Sequence, residues 1–337
     1  MGADLPGRQG CAMPGDQAAP CPPDPLSGPR ADLPPAEASL ARELEAVAHR
    51  AWPPLRQIEV GGWTLRASAG SSRRGNSVWA HGGVPDAPAA LAAVTDFYAA
   101  AGLPPTFQLT PVARPRELGA VLDAAGYDDT GPTDVCTVPL PALARAAAGP
   151  AGPGEARGDR PPVAARGLGA RTAPASASAS ASIGVTTSDA PGDEWLRVAG
   201  QVLTTFSVQR AGTLAVLSAL RLPTVYVTLT VDGVPAAVGR GVADDRWLGI
   251  YSMATLPAAR GRGAARRVVA ALAQWAGARG ATHAYLQVEE VSTVARGLYA
   301  DLGFRPVYRY SYRRAPLSVA PDAPDPRGGG PAEAGAA

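Results

Sequence analysis

The chain has 337 residues, of which 46% are hydrophobic and 18% charged, with a formal net charge of +2. That length allows two domains with added segments, and the apolar content suffices for ordinary cores. So small a charge gives no argument for nucleic acid or an anionic membrane as a partner, and no apolar run approaches the ~18 residues of a membrane span. Cys11, Cys21 and Cys136 lack any C-x-x-C spacing and His49, His81 and His283 are dispersed, so neither a disulfide framework nor a metal site is expected. All 31 basic residues are arginine, a usage that points to a GC-rich bacterial genome. The opening MGADLPGRQGCAMPG has no apolar stretch for a signal peptide, and Pro6 stands where a myristoylation motif needs Ser or Thr. The expected location is the cytoplasm.

Residues 1–36 are rich in Pro, Gly and Asp and are expected to be disordered, because they cannot bury enough surface to offset their ordering entropy. A first module is expected over 37–143. Within it, a helix at 37–50 precedes the strands GWTLRAS and NSVWAHG. A helix at about 88–101, the strand TFQLT, a helix at about 115–124 and the strand DVCTVPL follow. Residues 144–190, with AAAGPAGPG and ASASASAS, have the composition of a linker, and 317–337 that of a disordered tail.

A second module is expected over 191–316. Its helical spacing runs from Glu194 to Leu220, with Trp195, Val198, Val202 and Phe206 near one face. TVYVTLT, Asp232-Gly233 and VPAAVGRGV read as a hairpin, because Asp-Gly favours a two-residue turn. The strand WLGIYSMAT, a Gly/Arg loop and a helix at about 264–278 come next. The strand HAYLQVE, the helix VSTVARGLYADLG and the strand VYRYSYRR close the module. The fold class is α+β with a mixed sheet. LDAAGY (122–127) and YADLGF (299–304) fall at comparable points, which suggests an internal duplication.

Chemistry concentrates in LPAARGRGAARRVVAALAQW. Pro257 stops a strand, Gly261 and Gly263 remove side chains that would block close approach, and a helix begins directly afterwards. Unpaired N–H groups and about half a positive charge at a helix N-terminus suit a pyrophosphate-like anion, and Arg260 and Arg262 add charge there. The loop alone equally fits a tight strand-to-helix turn with solvated arginines. It is not G-x-G-x-x-G, and no Lys-Ser/Thr pair follows as a P-loop requires.

Over 194–314 the sequence resembles the GNAT superfamily of acetyl-CoA-dependent N-acetyltransferases. Arg260, Gly263 and Ala265 meet the family's donor signature, with Met253, Thr255 and Pro257 upstream. Leu286-Gln287-Val288, Ala295, Leu298-Tyr299 and Leu302-Gly303-Phe304 follow in the family's order. The resemblance implies the GNAT fold and acetyl-CoA as donor. Backbone groups at Met253 and Thr255 would meet the pantetheine arm, and those of Gly261, Arg262, Gly263, Ala264 and Ala265 the pyrophosphate. Ser292 stands where many members carry Asn, with the same hydrogen-bonding ability and shorter reach. Tyr299 matches the tyrosine that protonates the departing thiolate, and a phenol is a protonated donor near neutral pH. Its alternative is a core aromatic.

An amine must be neutral to attack, and Glu289, directly after the Leu286–Val288 strand, is the first candidate base; its alternative is a solvated strand-end carboxylate. Tyr308, Tyr310 and Tyr312 share a strand face, either covering the sheet or lining an acceptor pocket. Asp244 and Asp245 read as a hairpin turn. The first module lacks the donor loop. Its GW-x-LR and R-x-NSV resemble an actinobacterial tandem-GNAT group, some of whose members carry an N-acetylglutamate synthase label. It reads as a degenerate GNAT module in which Arg66, Arg74 and Asn76 either contact an acidic acceptor or serve turns. The expected activity is direct acetyl transfer to a primary amine of a small molecule such as an amino acid. The alternatives are a sensor without turnover, or an enzyme acting on protein N-termini or lysines.

Overall fold

The computed structural model describes residues 33–149 and 182–316. Residues 1–32, 150–181 and 317–337, where disorder or a linker is expected from composition, lie outside the described residues. The first half runs α1 (Pro35–Arg50), β1 (Arg56–Val60), β2 (Trp63–Ala67), β3 (Val78–Ala80), α2 (Ala87–Ala100), β4 (Thr106–Leu109), α3 (Leu118–Ala124), β5 (Asp128–Pro139) and α4 (Leu140–Ala148). The second runs β6 (Ile183–Ser188), α5 (Asp193–Val202), α6 (Thr204–Ser207), α7 (Arg210–Ala219), β7 (Thr224–Val231), β8 (Val234–Asp244) and β9 (Trp247–Thr255). It ends with α8 (Ala264–Gly277), β10 (His283–Glu289), α9 (Thr293–Asp301) and β11 (Arg305–Arg314). No described helix is long and apolar enough to cross a membrane.

The two halves repeat one pattern. Three antiparallel strands, β1-β2-β3 or β7-β8-β9, lead through α2 or α8 to a strand that runs parallel to the third, β4 or β10. A short helix and a last strand follow. The helix ends match in detail: Gly126 N–H bonds Asp123 O and Tyr127 N–H bonds Leu122 O, while Gly303 N–H bonds Ala300 O and Phe304 N–H bonds Tyr299 O, each at 3.0 Å. LDAAGY and YADLGF are therefore the same helix stop used twice.

All strands join one mixed sheet in the order β1-β2-β3-β4-β11-β5-β10-β9-β8-β7-β6. The last strands are exchanged between halves. β5 pairs with β10 over Thr133–Pro139, and β11 pairs with β4 over Ser311–Arg314. The exchanged strands also pair with each other. Each half thus supplies hydrogen bonds that the other half's sheet needs. Helix α1 reinforces this across the junction, where Glu43 accepts from Arg246 Nε (2.9 Å), Arg246 Nη2 (2.7 Å) and Trp247 Nε1 (2.7 Å).

Local chemistry explains most elements. Asp232 and Gly233 both take positive φ (51° and 77°), as a two-residue hairpin turn requires. Val268, Val269, Leu272, Ala273 and Ala276 recur at helical spacing, and this buried face of α8 packs on the sheet. Three expectations need correction. Residues 194–220 are not one helix but three, because Leu203 is extended (φ −102°, ψ 117°) and Gln209 also leaves the helical region. Part of the expected linker is structured: β6 pairs with β7 along its whole length, and α4 reaches Ala148. β6 is an exposed edge strand held by main-chain bonds, so its composition carries no core pattern. β1, another mainly exposed edge strand, was not expected for the same reason.

The strand exchange predicts that residues 182–316 expressed alone do not fold, since the edges of β10 and β11 that meet β5 lose their partner. Near-ultraviolet circular dichroism of that fragment should lack a native signal. Mixing with residues 33–149 should restore it.

Candidate active site

β9 begins parallel to β10, but their pairing covers only Trp247–Gly249 against His283–Tyr285. Beyond it the strands separate, and the cause lies in β9 itself. Ser252 and Met253 together face the single residue Gly239 of β8, a bulge in which Ser252 takes φ 51°. The bulge requires glycine on β8: a Cβ at Gly239 would stand 2.6 Å from both Met253 Sδ and Val268 Cγ1. At the fork of the two strands the hydroxyls of Tyr251 and Tyr285 hydrogen-bond. The gap opens into a cavity of about 670 Å³ that Met253, Leu286, Val288, Ser292, Ala295 and Tyr299 border.

The Gly/Arg loop stands at the far end of β9. After the single turn Pro257–Ala259, Gly261 and Gly263 both take φ 72°, and Gly263 is the N-cap of α8, with no side chain to close it. The first intrahelical acceptor is Gly263 O, which receives Arg267 N–H at 3.1 Å. The N–H groups of Ala264 and Ala265 precede it and have no acceptor within the helix. Arg260 folds back so that its Nε donates to Thr255 O at 3.3 Å. In the first half the equivalent helix start is closed. Asp86 caps α2 by accepting Ala89 N–H at 3.0 Å, and Pro88 in the first turn has no N–H to offer. A carboxylate already occupies the position an anion would take.

Helix α9 carries Tyr299 and begins at Ser292, whose side chain does not cap it. None of its residues is fully buried. It is held at its C-terminal end by buried Leu302 and Phe304, and along its length by Arg296, whose Nη2 lies 3.1 Å from Asp134 Oδ2. Asp134 belongs to the exchanged strand β5, is 3% exposed, and also binds Arg309 Nε at 2.7 Å. Tyr299 is half-buried with its ring edge-on to Phe304 (5.8 Å), and burial pushes its phenol up to about 12, with the neighbouring Cys136 thiol adding to the shift. The hydroxyl stays protonated wherever an amine can be assayed.

The opposite wall comes from the first half and from the α6–α7 region. The loop Gly70–Arg74 projects into the cavity beside Trp52, Gln209, Tyr310 and Tyr312. Arg73 forms an ion pair with Glu289 Oε1 and lies over the Tyr312 ring at 5.2 Å. Arg74 Nη2 donates to Tyr310 Oη at 3.0 Å, and Tyr310 in turn donates to Gln287 Oε1 at 2.9 Å.

Of the residues expected from the sequence, Met253, Glu289, Ser292 and Tyr299 line this one cavity. Thr255 ends β9, and Arg260, Gly261, Arg262, Gly263, Ala264 and Ala265 form the following loop and helix start. The tyrosines of β11 do both of the things expected: Tyr308, Tyr310 and Tyr312 are buried against the sheet junction, and the last two also border the cavity. Arg66 and Asn76 serve the fold, Arg66 binding Ser77 and Gln108, and Asn76 accepting from Ser68 and Gly70 N–H. Arg73, Tyr251 and Asp134 were not anticipated. Their one sequence signal is the Arg-Arg pair within a Gly/Ser-rich loop.

The family model that matches this chain, over residues 38–119 and 162–313, is described as "Probable histone acetyltransferase Rv0428c C-terminal". A Bacillus subtilis (strain 168) protein named Uncharacterized N-acetyltransferase YobR is 26% identical over 273 residues, covering 81% of this chain and 97% of its own length. A GCN5-related N-acetyltransferase from Kribbella flavida superposes with a TM-score of 0.51 at 18% identity, covering 84% of this chain and 96% of that one. A functionally unknown conserved protein from Staphylococcus epidermidis ATCC 12228 gives 0.52 at 10% identity, with 78% and 94% covered. At such identities the structural likeness speaks for the fold alone.

Asp134→Asn should deprive Arg296 of its carboxylate, leave Arg309 to Glu290, and loosen α9. The expected loss is roughly 2–3 kcal/mol by urea denaturation, less than for a fully buried pair because Arg296 is partly exposed.

Proposed function

Because this chain belongs to the family described as Probable histone acetyltransferase Rv0428c C-terminal and is a GNAT N-acetyltransferase, we propose that it transfers the acetyl group of acetyl-CoA to a primary amine of a small molecule in the cytoplasm. The observation that carries this reading is the succession of three features along β9 and α8. The open start of α8 adjoins the end of β9, the bulged β9 parts from β10, and the gap reaches a cavity bordered by a protonated phenol.

The residues present fit the donor. N–H groups from Gly261 to Ala265, with Arg260 and Arg262, hold its pyrophosphate, since the helix start is uncapped and no side chain intrudes at Gly263. Main-chain groups of β9 at Met253 and Thr255, beyond the last pair with β10, meet the pantetheine arm, and Ser292 offers its free hydroxyl nearby. Bound there, acetyl-CoA supplies a thioester activated for attack. The amine attacks directly, with no covalent intermediate on the protein. Tyr299 gives its Oη proton to the sulfur as the C–S bond breaks and regains one from the proton that the acetylated nitrogen loses. Glu289 takes the proton from the ammonium through Oε2, the oxygen not bridged to Arg73.

The acceptor end favours a small molecule because the chain's own loop Gly70–Arg74 and the α6–α7 region wall it. An enzyme for protein substrates would instead acetylate lysine-bearing peptides faster than free amines. A sensor would bind acetyl-CoA and turn over nothing.

Three variants test these assignments. Arg260→Ala combined with Gly263→Glu places bulk and negative charge at the anion site and should abolish acetyl-CoA binding by calorimetry. Unchanged affinity would refute the location. Tyr299→Phe should keep that affinity while kcat drops by about 10²-fold. Glu289→Gln should lower kcat/KM at neutral pH and lose less at pH 9, where more of the amine is already neutral.

A further inference from the structure

We propose that Arg73, which the first half supplies, is a positioning residue for the transfer: seated in a slot that Gly131 leaves open, it holds the Glu289 carboxylate in place at the cavity wall. This rests on the acetyl-transfer reading above, in which Glu289 is the base, and it gives the first half a part in the chemistry.

Glu289 is the last residue of β10 and its side chain is 46% exposed, so the strand fixes its Cα but not its carboxylate. Among the described residues, Arg73 is the side chain that pairs with it. The chain leading to Arg73 is fixed by Asn76. Asn76 Oδ1 accepts Ser68 N–H (2.7 Å) and Gly70 N–H (3.1 Å), its Nδ2 donates to Ser72 O (2.7 Å), and its own N–H bonds Arg73 O (3.2 Å). The Arg73 side chain then crosses to β5. There β5 carries one residue more than β11 between the pairs Tyr310–Thr133 and Tyr312–Thr130, a bulge in which Gly131 takes φ 61°. The bulge adjoins the end of β10: Thr133 pairs with Glu289, and Glu290 N–H bonds Pro132 O at 2.9 Å. A Cβ at Gly131 would stand 1.6 Å from Arg73 Nη1 and 2.6 Å from its Cζ, so the guanidinium rests directly on the glycine. The Tyr312 ring lies 5.2 Å from the same Cζ.

Folding stability does not account for this arrangement. An ion pair whose side chains are 40% and 46% exposed adds little to it, and a long side chain held in one geometry loses rotamer freedom. Yet a bulge, a glycine and an aromatic ring converge on this one guanidinium. What a fixed guanidinium supplies is a fixed carboxylate. With Oε1 held by a charge-assisted bond, Oε2 keeps one place relative to an amine in the same cavity. Misplacing a base by about an ångström costs up to about 10²-fold in rate, so the bond matters to turnover far more than to folding. Arg73 acts through Glu289 and not on the reacting atoms.

The test follows coenzyme A release by the full chain from acetyl-CoA with a panel of amino acids, linear diamines and aminoglycosides, and carries the fastest acceptor forward. Arg73→Met should lower kcat about tenfold or more while the KM for acetyl-CoA stays unchanged, and Arg73→Lys should recover part of that loss. Gly131→Ala leaves both charged residues in the chain but displaces the guanidinium, and should reproduce Arg73→Met. Acetyl-CoA affinity by calorimetry reports that each variant folds. In a Glu289→Gln background, Arg73→Met should lower kcat by less than about threefold more, because the base it holds is gone. An unchanged kcat in Arg73→Met, a lysine variant no faster than the methionine one, full kcat in a folded Gly131→Ala, or losses that multiply in the double variant would each overturn the proposal. Full activity of Glu289→Gln alone would instead overturn the base assignment, and turnover of no amine the small-molecule reading. Either result removes the premise of this proposal and overturns it as well.

Discussion

The main chain of β10 cannot be satisfied within its own half. One edge meets β9 for only three residue pairs, and the other is closed by β5, which arrives from the first half. Buried N–H and C=O groups without partners would cost more than a domain's margin of stability, so this strand depends on the exchange. β4 stands in the same relation to β11. The exchange also places Asp134 beneath α9, where it binds Arg296 in the turn before Tyr299. The placement of Tyr299 and the association of the halves thus share one set of contacts.

Within that frame, a duplicated unit has diverged at two places. In the second half a bulge opposite Gly239 turns β9 away from β10, and an uncapped glycine opens the start of α8. In the first half Asp86 and Pro88 close the matching helix start. The difference is electrostatic before it is steric. One helix N-terminus keeps its partial positive charge available, while the other spends it on its own carboxylate. The first half instead contributes Gly70–Arg74 to the neighbour's cavity.

Arginine suits this division of labour because its guanidinium tolerates burial against aromatic faces better than an ammonium would. Arg240 lies between two rings, and Arg73 and Arg74 lie over Tyr312 and Tyr310. The tyrosines of β11 hold Arg73 and Arg74, and Glu289 pairs with Arg73.

Much of this was legible in the sequence, and the reasons are local. The Asp232-Gly233 turn, the 3.6-residue pattern of α8, the Gly261/Gly263 loop and the matching LDAAGY and YADLGF stops depend on residues close in the chain, where conformational preference and periodicity act directly. The stretch from Met253 to Tyr299 is contiguous, so its motifs could be read together. Edge strands β1 and β6 escaped because main-chain pairing, not side-chain burial, holds them. The contacts between the halves escaped more completely: Arg73 meets Glu289 across 216 positions, and Asp134 meets Arg296 across 162. The sequence by itself determined the repeated unit, the glycine-rich helix start and the phenol. Only the tertiary structure decided which half's strand completes each sheet and which half's arginines face the site, because those pairings are between segments that have no periodicity in common and meet only after the sheet has formed.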